Sequence, residues 1–206
     1  MEKKINLILD LDDTLIHTES VKSIDGLNKN NHIILPNFIG KVYFRQYLKE
    51  FLDFCYKNFN ISIWTSSNSL YCKKILKLIL NEEQYNETKL ILISEDDKII
   101  NLKTNRIYKN DNSRLKPLNF IFEDLELSKI FRKENTILLD NEDFIKNFNK
   151  ENTLLISNFD IKKTDLEFCY VSNFLNNLKY SDNIQDIIKS NRNIKFDCSL
   201  LTVNIA

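Results

Sequence analysis

Short apolar runs alternate along the chain with amphipathic stretches. Ile5-Asn6-Leu7-Ile8-Leu9 is apolar and stops at Asp10, the pattern of a buried central strand that delivers acidic residues at its C-terminal end. Residues 61–64, 90–93, 136–139 and 153–156 repeat that signature, and the run at 136–139 again ends in a carboxylate, Asp140. Phe44, Leu48, Phe51, Leu52, Cys55 and Phe59 recur at three- and four-residue intervals and predict an amphipathic helix. Asn68 predicts the N-cap of a second helix to Leu80, with Tyr71, Ile75, Leu78 and Ile79 on one face. Pro117 fits the first turn of a helix running to about Leu127, and residues 143–148, 165–178 and 184–188 predict three more. After the first strand, the polar stretch 20–31 leads to two extended pieces, 33–35 and 41–44, separated by Pro36, Asn37 and Gly40 like a hairpin. Residues 95–114 read as a small hairpin or a loop, and residues 191–206 as a tail or an extra strand.

Strands and helices alternating at these lengths predict an α/β fold, a three-layer αβα arrangement around a mostly parallel sheet, with ligands gathering at the carboxyl ends of the strands. At 206 residues the chain is expected to form one domain over residues 1–190, followed by the 191–206 segment. Hydrophobic residues make up 43% of the chain, enough for a core, and 29 Lys+Arg balance 29 Asp+Glu. That balance removes the broad positive field that non-specific nucleic-acid or membrane-surface binding requires, so neither partner is expected. No apolar run approaches the roughly 20 residues that span a bilayer, and the first residues lead directly into a strand, so an intracellular protein of nucleus or cytoplasm is expected. Cys55, Cys72, Cys169 and Cys198 form no C-x-x-C pair, so all four are expected to be reduced packing residues.

Asp10-Leu11-Asp12-Asp13-Thr14 places three carboxylates and a hydroxyl just past a buried strand, where uncompensated negative charge is costly. At a strand end the backbone curls, so Asp10 and Asp12 can point into one crevice while Leu11 anchors below. Hard oxygen ligands of this kind suit Mg²⁺, which keeps several waters and pairs with a substrate phosphate. A plain D-x-D is as readily a helix cap; the full run D-L-D-D-T-L after an apolar strand is far more specific.

Here the sequence resembles the haloacid-dehalogenase (HAD) superfamily of phosphotransferases. Within it, the nearest pattern is that of the RNA polymerase II C-terminal-domain phosphatase-like, or NLI-interacting-factor-like, branch. Residues 10–17 are similar to that branch's first motif, Tyr43-Phe44-Arg45 with Phe51-Leu52 to its arginine segment, and Ile63-Trp64-Thr65-Ser66-Ser67 to its second motif. Lys116-Pro117-Leu118 matches the third motif and residues 135–141 the fourth, so the resemblance covers roughly residues 5–190. It implies an HAD-like, Rossmannoid sheet with a small β insertion after the first strand and no large cap. It also implies Asp10 as nucleophile, Asp12 as general acid/base, and Thr65 and Lys116 as the remaining catalytic groups. Thr14, Ser66 and Arg45 are assigned to substrate binding, and Asp10, Asp12, Asn141 and Asp140 to Mg²⁺, with Asp140 serving alternatively as the Lys116 partner. Arg45 fits a structural ion pair at the helix start equally well. His17 and His32 are expected in loop or packing roles, Trp64 in the core, and Tyr43, Phe38 and Ile33 either as a shelf for a substrate proline or as ordinary hairpin packing.

The activity so implied is an Mg²⁺-dependent protein serine/threonine phosphatase acting through an aspartyl-phosphate, with a phosphoprotein, and by resemblance the polymerase II tail, as substrate. Two alternatives stand beside it: a phosphatase of small molecules or polynucleotide ends, and a non-catalytic peptide-binding module of the same fold.

Overall fold

The computed structural model describes residues 5–20, 32–34, 40–179, 181 and 183–190. A seven-stranded sheet forms its centre, built around β1 (Asn6–Leu9). β5 (Asn60–Thr65) and β9 (Thr136–Asp140) flank β1 in parallel, and β6 (Ile91–Ser94) and β10 (Thr153–Leu155) extend the parallel set on either side. Residues 95–114 contain a hairpin, β7 (Lys98–Asn101) and β8 (Arg106–Lys109), which joins the sheet antiparallel and gives the order β10-β9-β1-β5-β6-β7-β8. Asn105 takes the left-handed conformation (φ 56°) at its turn, a region that Asn enters more readily than most residues.

Each face of the sheet is apolar because each is covered, and strand alternation divides the core accordingly. Leu7, Leu9, Ile61, Ile63, Ile91, Ile93, Ile137 and Leu139 pack with α1 (Leu48–Asn58), α2 (Ser69–Ile79), α6 (Glu167–Leu178) and Ile184 at the start of α7 (Ile184–Ser190). The alternate residues Ile8, Trp64, Leu92 and Leu138 meet α4 (Leu118–Glu123) and α5 (Asp143–Phe148) through Leu118, Ile121 and Ile145. This is the expected three-layer αβα architecture around a mostly parallel sheet. Trp64 is fully buried, and its indole N–H donates to Ser94 Oγ at 2.8 Å, in keeping with a core role.

A second, three-stranded antiparallel sheet lies between β1 and α1: β2 (Ile16–Ser20), β4 (Gly40–Phe44) and β3 (His32–Ile34), in the order β2-β4-β3. The sequence predicts the last two strands as a hairpin but not β2, whose polar residues identify themselves only by pairing with β4. Tyr43 is buried, which favours hairpin packing over an exposed shelf. Phe38 and the 191–206 segment lie outside the described residues.

Three local expectations are corrected. The helix after Pro117 stops at Glu123 because Asp124 Oδ1 accepts the backbone N–H groups of Glu126 and Leu127, both at 3.0 Å, and diverts the chain into a 3-10 turn. A short helix unforeseen in the sequence, α3 (Glu82–Glu87), is closed by a reciprocal capping box between Asn81 and Gln84. Cys55 and Cys72 are buried free thiols, but Cys169 is disulfide-bonded. Spacing along the chain does not report which thiols meet in space.

Candidate active site

The site forms at the carboxyl ends of β1, β5 and β9, where the topology brings together residues from four distant segments. Asp10 follows β1, and its N–H donates to Leu139 O of β9 at 3.0 Å, so the nucleophile candidate is fixed by the sheet ladder itself. Its side chain is 8% exposed. Oδ1 accepts from Lys116 Nζ at 2.5 Å and Oδ2 from Thr14 Oγ1 at 2.9 Å. Lys116 Nζ also donates to Asp140 Oδ2 at 2.6 Å, and the other Asp140 oxygen accepts the Glu142 N–H at 3.0 Å.

Burial pushes the Asp10 carboxyl up to about 6, an effect that the Lys116 charge opposes and the Asp140 charge reinforces. Burial acts to lower the Lys116 ammonium, but the two carboxylates outweigh it and hold the group above its ordinary value. The lysine therefore stays charged between two acids, the role of an electrostatic clamp rather than of a base.

The turn after Asp10 is tight. Asp13 adopts φ 59° and its N–H donates to Ile16 O at 2.7 Å, while Lys116 adopts φ 47° after the 3-10 turn Ser113–Leu115. Both are non-glycine residues in the left-handed region, and both flank the reacting groups. The Asp12 carboxylate is gripped by two hydroxyls: Ser67 Oγ donates to Oδ2 at 2.6 Å and Tyr71 OH to Oδ1 at 2.5 Å. Tyr71 OH lies 2.7 Å from Thr18 Oγ1 in turn, and burial first, then the Asp12 charge, pushes the phenol far above its ordinary value. At the end of β5, Thr65 Oγ1 accepts the Ser67 N–H at 3.0 Å, leaving its own proton to donate to an incoming oxygen. Ser66 is exposed beside it.

Asp10, Asp12, Thr65, Ser66, Lys116, Asp140 and Asn141 thus line one open cleft of about 320 Å³. Two residues assigned to substrate binding, Thr14 and Arg45, do not line this cleft. Thr14 is completely buried beneath the cleft and orients Asp10. Arg45 is 1% exposed: Nε donates to Asp165 Oδ2 at 2.7 Å, Nη1 to Thr14 O at 2.7 Å and Nη2 to Ser157 O at 2.5 Å. Its guanidinium faces Phe159 and Phe168 at 5.4 and 5.5 Å from the ring centroids. Nε, Nη1 and Nη2 each have a partner inside the domain, and Arg45 does not line the cleft. Asp140 is fully buried and bonded to Lys116, the lysine-partner alternative named for it.

Among the described residues no group of three His, Cys, Asp or Glu side chains is disposed to hold a metal. The oxygen donors that do converge include an amide and a backbone carbonyl. The Asn141 amide terminus lies 3.3 Å from both Asp10 Oδ2 and Asp12 O. With its NH₂ turned inward it bridges these oxygens; with Oδ1 turned inward, three hard oxygen donors face one point, the donor chemistry that suits Mg²⁺.

The sequence reading passed over Ser67 and Tyr71, the two groups that hold Asp12, because Tyr71 counts as apolar on the helix face. Ser67 precedes the Asn68 N-cap and Tyr71 lies in the first turn of α2, so no helical spacing links the two in the sequence. Arg114, Glu142 and Phe144, which also line the cleft, carry no local signature. His17 lies on β2 rather than in a loop, with Nδ1 2.5 Å from Asp13 Oδ1.

Residues 5–187 match the family model described as NLI interacting factor-like phosphatase. The CTD phosphatase-like protein 355R of Invertebrate iridescent virus 6 is 31% identical over 145 residues, covering 66% of this chain and 75% of that protein. Its counterpart in Invertebrate iridescent virus 3 is 31% identical over 88 residues, 40% of this chain and 47% of that protein. Among solved structures, an arginine-to-alanine variant of the fission yeast RNA polymerase II CTD phosphatase Fcp1 bound to beryllium fluoride aligns over 81% of this chain and 45% of its own, at 16% identity and TM-score 0.48. A further structure of Fcp1, described as an essential RNA polymerase II CTD phosphatase, aligns over 94% of this chain and 56% of its own, at 16% identity and TM-score 0.47. The family match spans nearly the whole described chain, and on that ground the protein belongs to the NLI interacting factor-like phosphatase family.

Proposed function

We propose that this chain is an Mg²⁺-dependent protein serine/threonine phosphatase that works through an aspartyl-phosphate. The observation that carries the reading is the Asp10 carboxylate, held between Lys116 Nζ and Thr14 Oγ1 at the head of an open cleft, with a second carboxylate, Asp12, two residues on.

A carboxylate oxygen of Asp10 attacks phosphorus, the bond to the serine or threonine oxygen breaks, and protonated Asp12 gives its proton to that leaving oxygen. Water then attacks the phosphorus of the aspartyl-phosphate, Asp12 takes the water's proton, the bond to Asp10 breaks, and inorganic phosphate leaves. Ser67 and Tyr71 hold Asp12 in place for both transfers. Thr65 donates to a non-bridging oxygen, and Lys116 opposes the charge on Asp10 and on the transferred group. Asp10, the Asp12 carbonyl and Asn141 would hold Mg²⁺, which when bound supplies positive charge against the phosphoryl oxygens.

The open cleft suits a macromolecular phosphate ester. The viral relatives, described as CTD phosphatase-like, support a phosphoserine segment of the polymerase II tail as the substrate to test first. No helix among the described residues is long and apolar enough to cross a membrane.

The test is phosphate release from p-nitrophenyl phosphate and from doubly phosphorylated heptad-repeat peptides, with Mg²⁺ or EDTA, comparing wild type with Asp10→Asn. Expected is metal-dependent release, faster on peptide and lost in the variant. No release from either substrate by the folded, Mg²⁺-supplied protein would overturn the proposal.

A further inference from the structure

Resting on the phosphatase reading above, we propose that Arg114 forms a second anion subsite at the rim of the cleft. It selects phosphopeptides that carry another phosphate or a carboxylate side chain close to the scissile phosphoryl group.

Five carboxylates line the cleft, and among the described residues lining it only Lys116 and Arg114 are cations. Lys116 is 4% exposed and bonded to Asp10 and Asp140, so it serves the reacting centre. Arg114 differs in every respect: its side chain is 62% exposed, and it reaches the cleft from outside. An anionic peptide approaching this acidic mouth therefore meets one accessible protein cation.

The turn that carries Arg114 is firmly held. Ser113 is fully buried, its hydroxyl donates to Glu95 O, and its carbonyl accepts from Ser94 Oγ at 2.7 Å. Lys116 then turns left-handed, so that two side chains of one short segment serve the cleft at different depths. Such a clamped support fixes the subsite at a defined position relative to the phosphate.

The present partner of Arg114 is easily displaced. Nε and Nη2 both donate to one oxygen of Asp96, at 3.0 and 2.7 Å, and the Asp96 side chain is 88% exposed. An ion pair this open to water is weak, so a substrate anion desolvated against the cleft competes for the same planar fork. Asp96 occupies the subsite in the absence of substrate.

Steady-state kinetics on four substrates test this: p-nitrophenyl phosphate and three otherwise identical phosphoserine peptides whose flanking position is Ala, Glu or a second phosphoserine. The wild type is expected to prefer the Glu and diphosphorylated peptides to the Ala peptide by about fivefold in kcat/KM, mostly through KM, with the preference shrinking in high salt. Arg114→Ala collapses that preference towards one, and Arg114→Lys retains part of it, since it keeps the charge and loses the fork. Asp96→Asn lowers KM for the two anionic peptides about twofold. A larger gain on the diphosphorylated peptide than on the Glu peptide would identify phosphate as the preferred flanking anion; the reverse would identify carboxylate.

Equal loss on all four substrates in Arg114→Ala would overturn the subsite and place the residue on the scissile phosphate. A wild type that does not distinguish the three peptides, or an Asp96→Asn variant with raised KM, would overturn it as well. Turnover of p-nitrophenyl phosphate with none on any peptide would instead refute the protein-phosphatase reading, and the subsite with it.

Discussion

Replacing Arg45 by Met tests whether this arginine is a structural post or a ligand contact. Met keeps much of the apolar stem and removes the guanidinium. The arginine and its partner Asp165 have side-chain exposures of 0% and 8%, so the change strands a buried carboxylate. Breaking a buried pair in this way costs about 3–5 kcal/mol. Thr14 O and Ser157 O also lose their donors, a penalty of the same kind that overlaps with the first rather than adding in full. About 4 kcal/mol is expected, a large part of the roughly 5–15 kcal/mol that holds a domain together. At a urea slope of about 2 kcal/mol/M the unfolding midpoint should fall by about 2 M. Adding Asp165→Leu should restore part of the loss, because no unpaired charge then remains. Recovery stays incomplete, since Asp165 Oδ1 also accepts the Glu167 N–H at 2.9 Å, at the start of α6. A loss below about 1 kcal/mol combined with a raised KM for phosphopeptide would refute the structural account and return Arg45 to the substrate.

Other consequences can be checked on the same protein. Lys116→Met should reduce turnover more than about a hundredfold at neutral pH, since Asp10 and Asp140 then face each other without a cation; single-turnover phosphate release reads this, and loss below about threefold would contradict it. Asp10 is raised from 3.8 to about 6, so it is protonated below that pH and loses both nucleophilicity and its place as an oxygen ligand. Turnover at subsaturating Mg²⁺, and Mg²⁺ affinity by calorimetry, should therefore decline together as pH falls through about 6, and a flat response from pH 7.5 to 5 would contradict this. Tyr71→Phe removes one of the two hydroxyls on Asp12 and should lower kcat about tenfold with KM little changed and the far-UV circular dichroism intact; unchanged kcat would show that Ser67 alone positions the carboxylate.

The parallel strands and their covering helices were legible because uninterrupted apolar runs and three- to four-residue stripes report burial directly, as in 5–9 and 48–59. Asn68 was readable as an N-cap, and its side chain accepts the Tyr71 N–H at 3.0 Å. β2 was not, since Ile16-His17-Thr18-Glu19-Ser20 gains its strand character from β4 rather than from its own composition. The same division runs through the site. Asp10, Asp12 and Thr65 stand at the ends of recognisable apolar runs, Lys116 was legible only through its motif beside Pro117, and all four meet in the cleft. Whether Arg45 faces ligand or protein depends on Asp165, 120 residues away, and on two backbone carbonyls that leave no mark in the sequence.

The placement of β1 also bears on how the molecule acquires its chemistry. β1 occupies the middle of the sheet, pairing with β5 on one side and with β9, some 130 residues later, on the other. Lys116 reaches Asp10 across 106 residues of chain. Long loops must close before these contacts repay the ordering, so the half-built chain carries Asp10 on a strand with one edge unpaired and no ammonium beside it. Asp10 and Lys116 are therefore expected to meet only late in folding, when β9 closes the sheet. In the folded state the Asp10 N–H, bonded to Leu139 O between two central strands, should exchange with solvent only when the whole domain opens, so that a single amide reports the survival of fold and site alike.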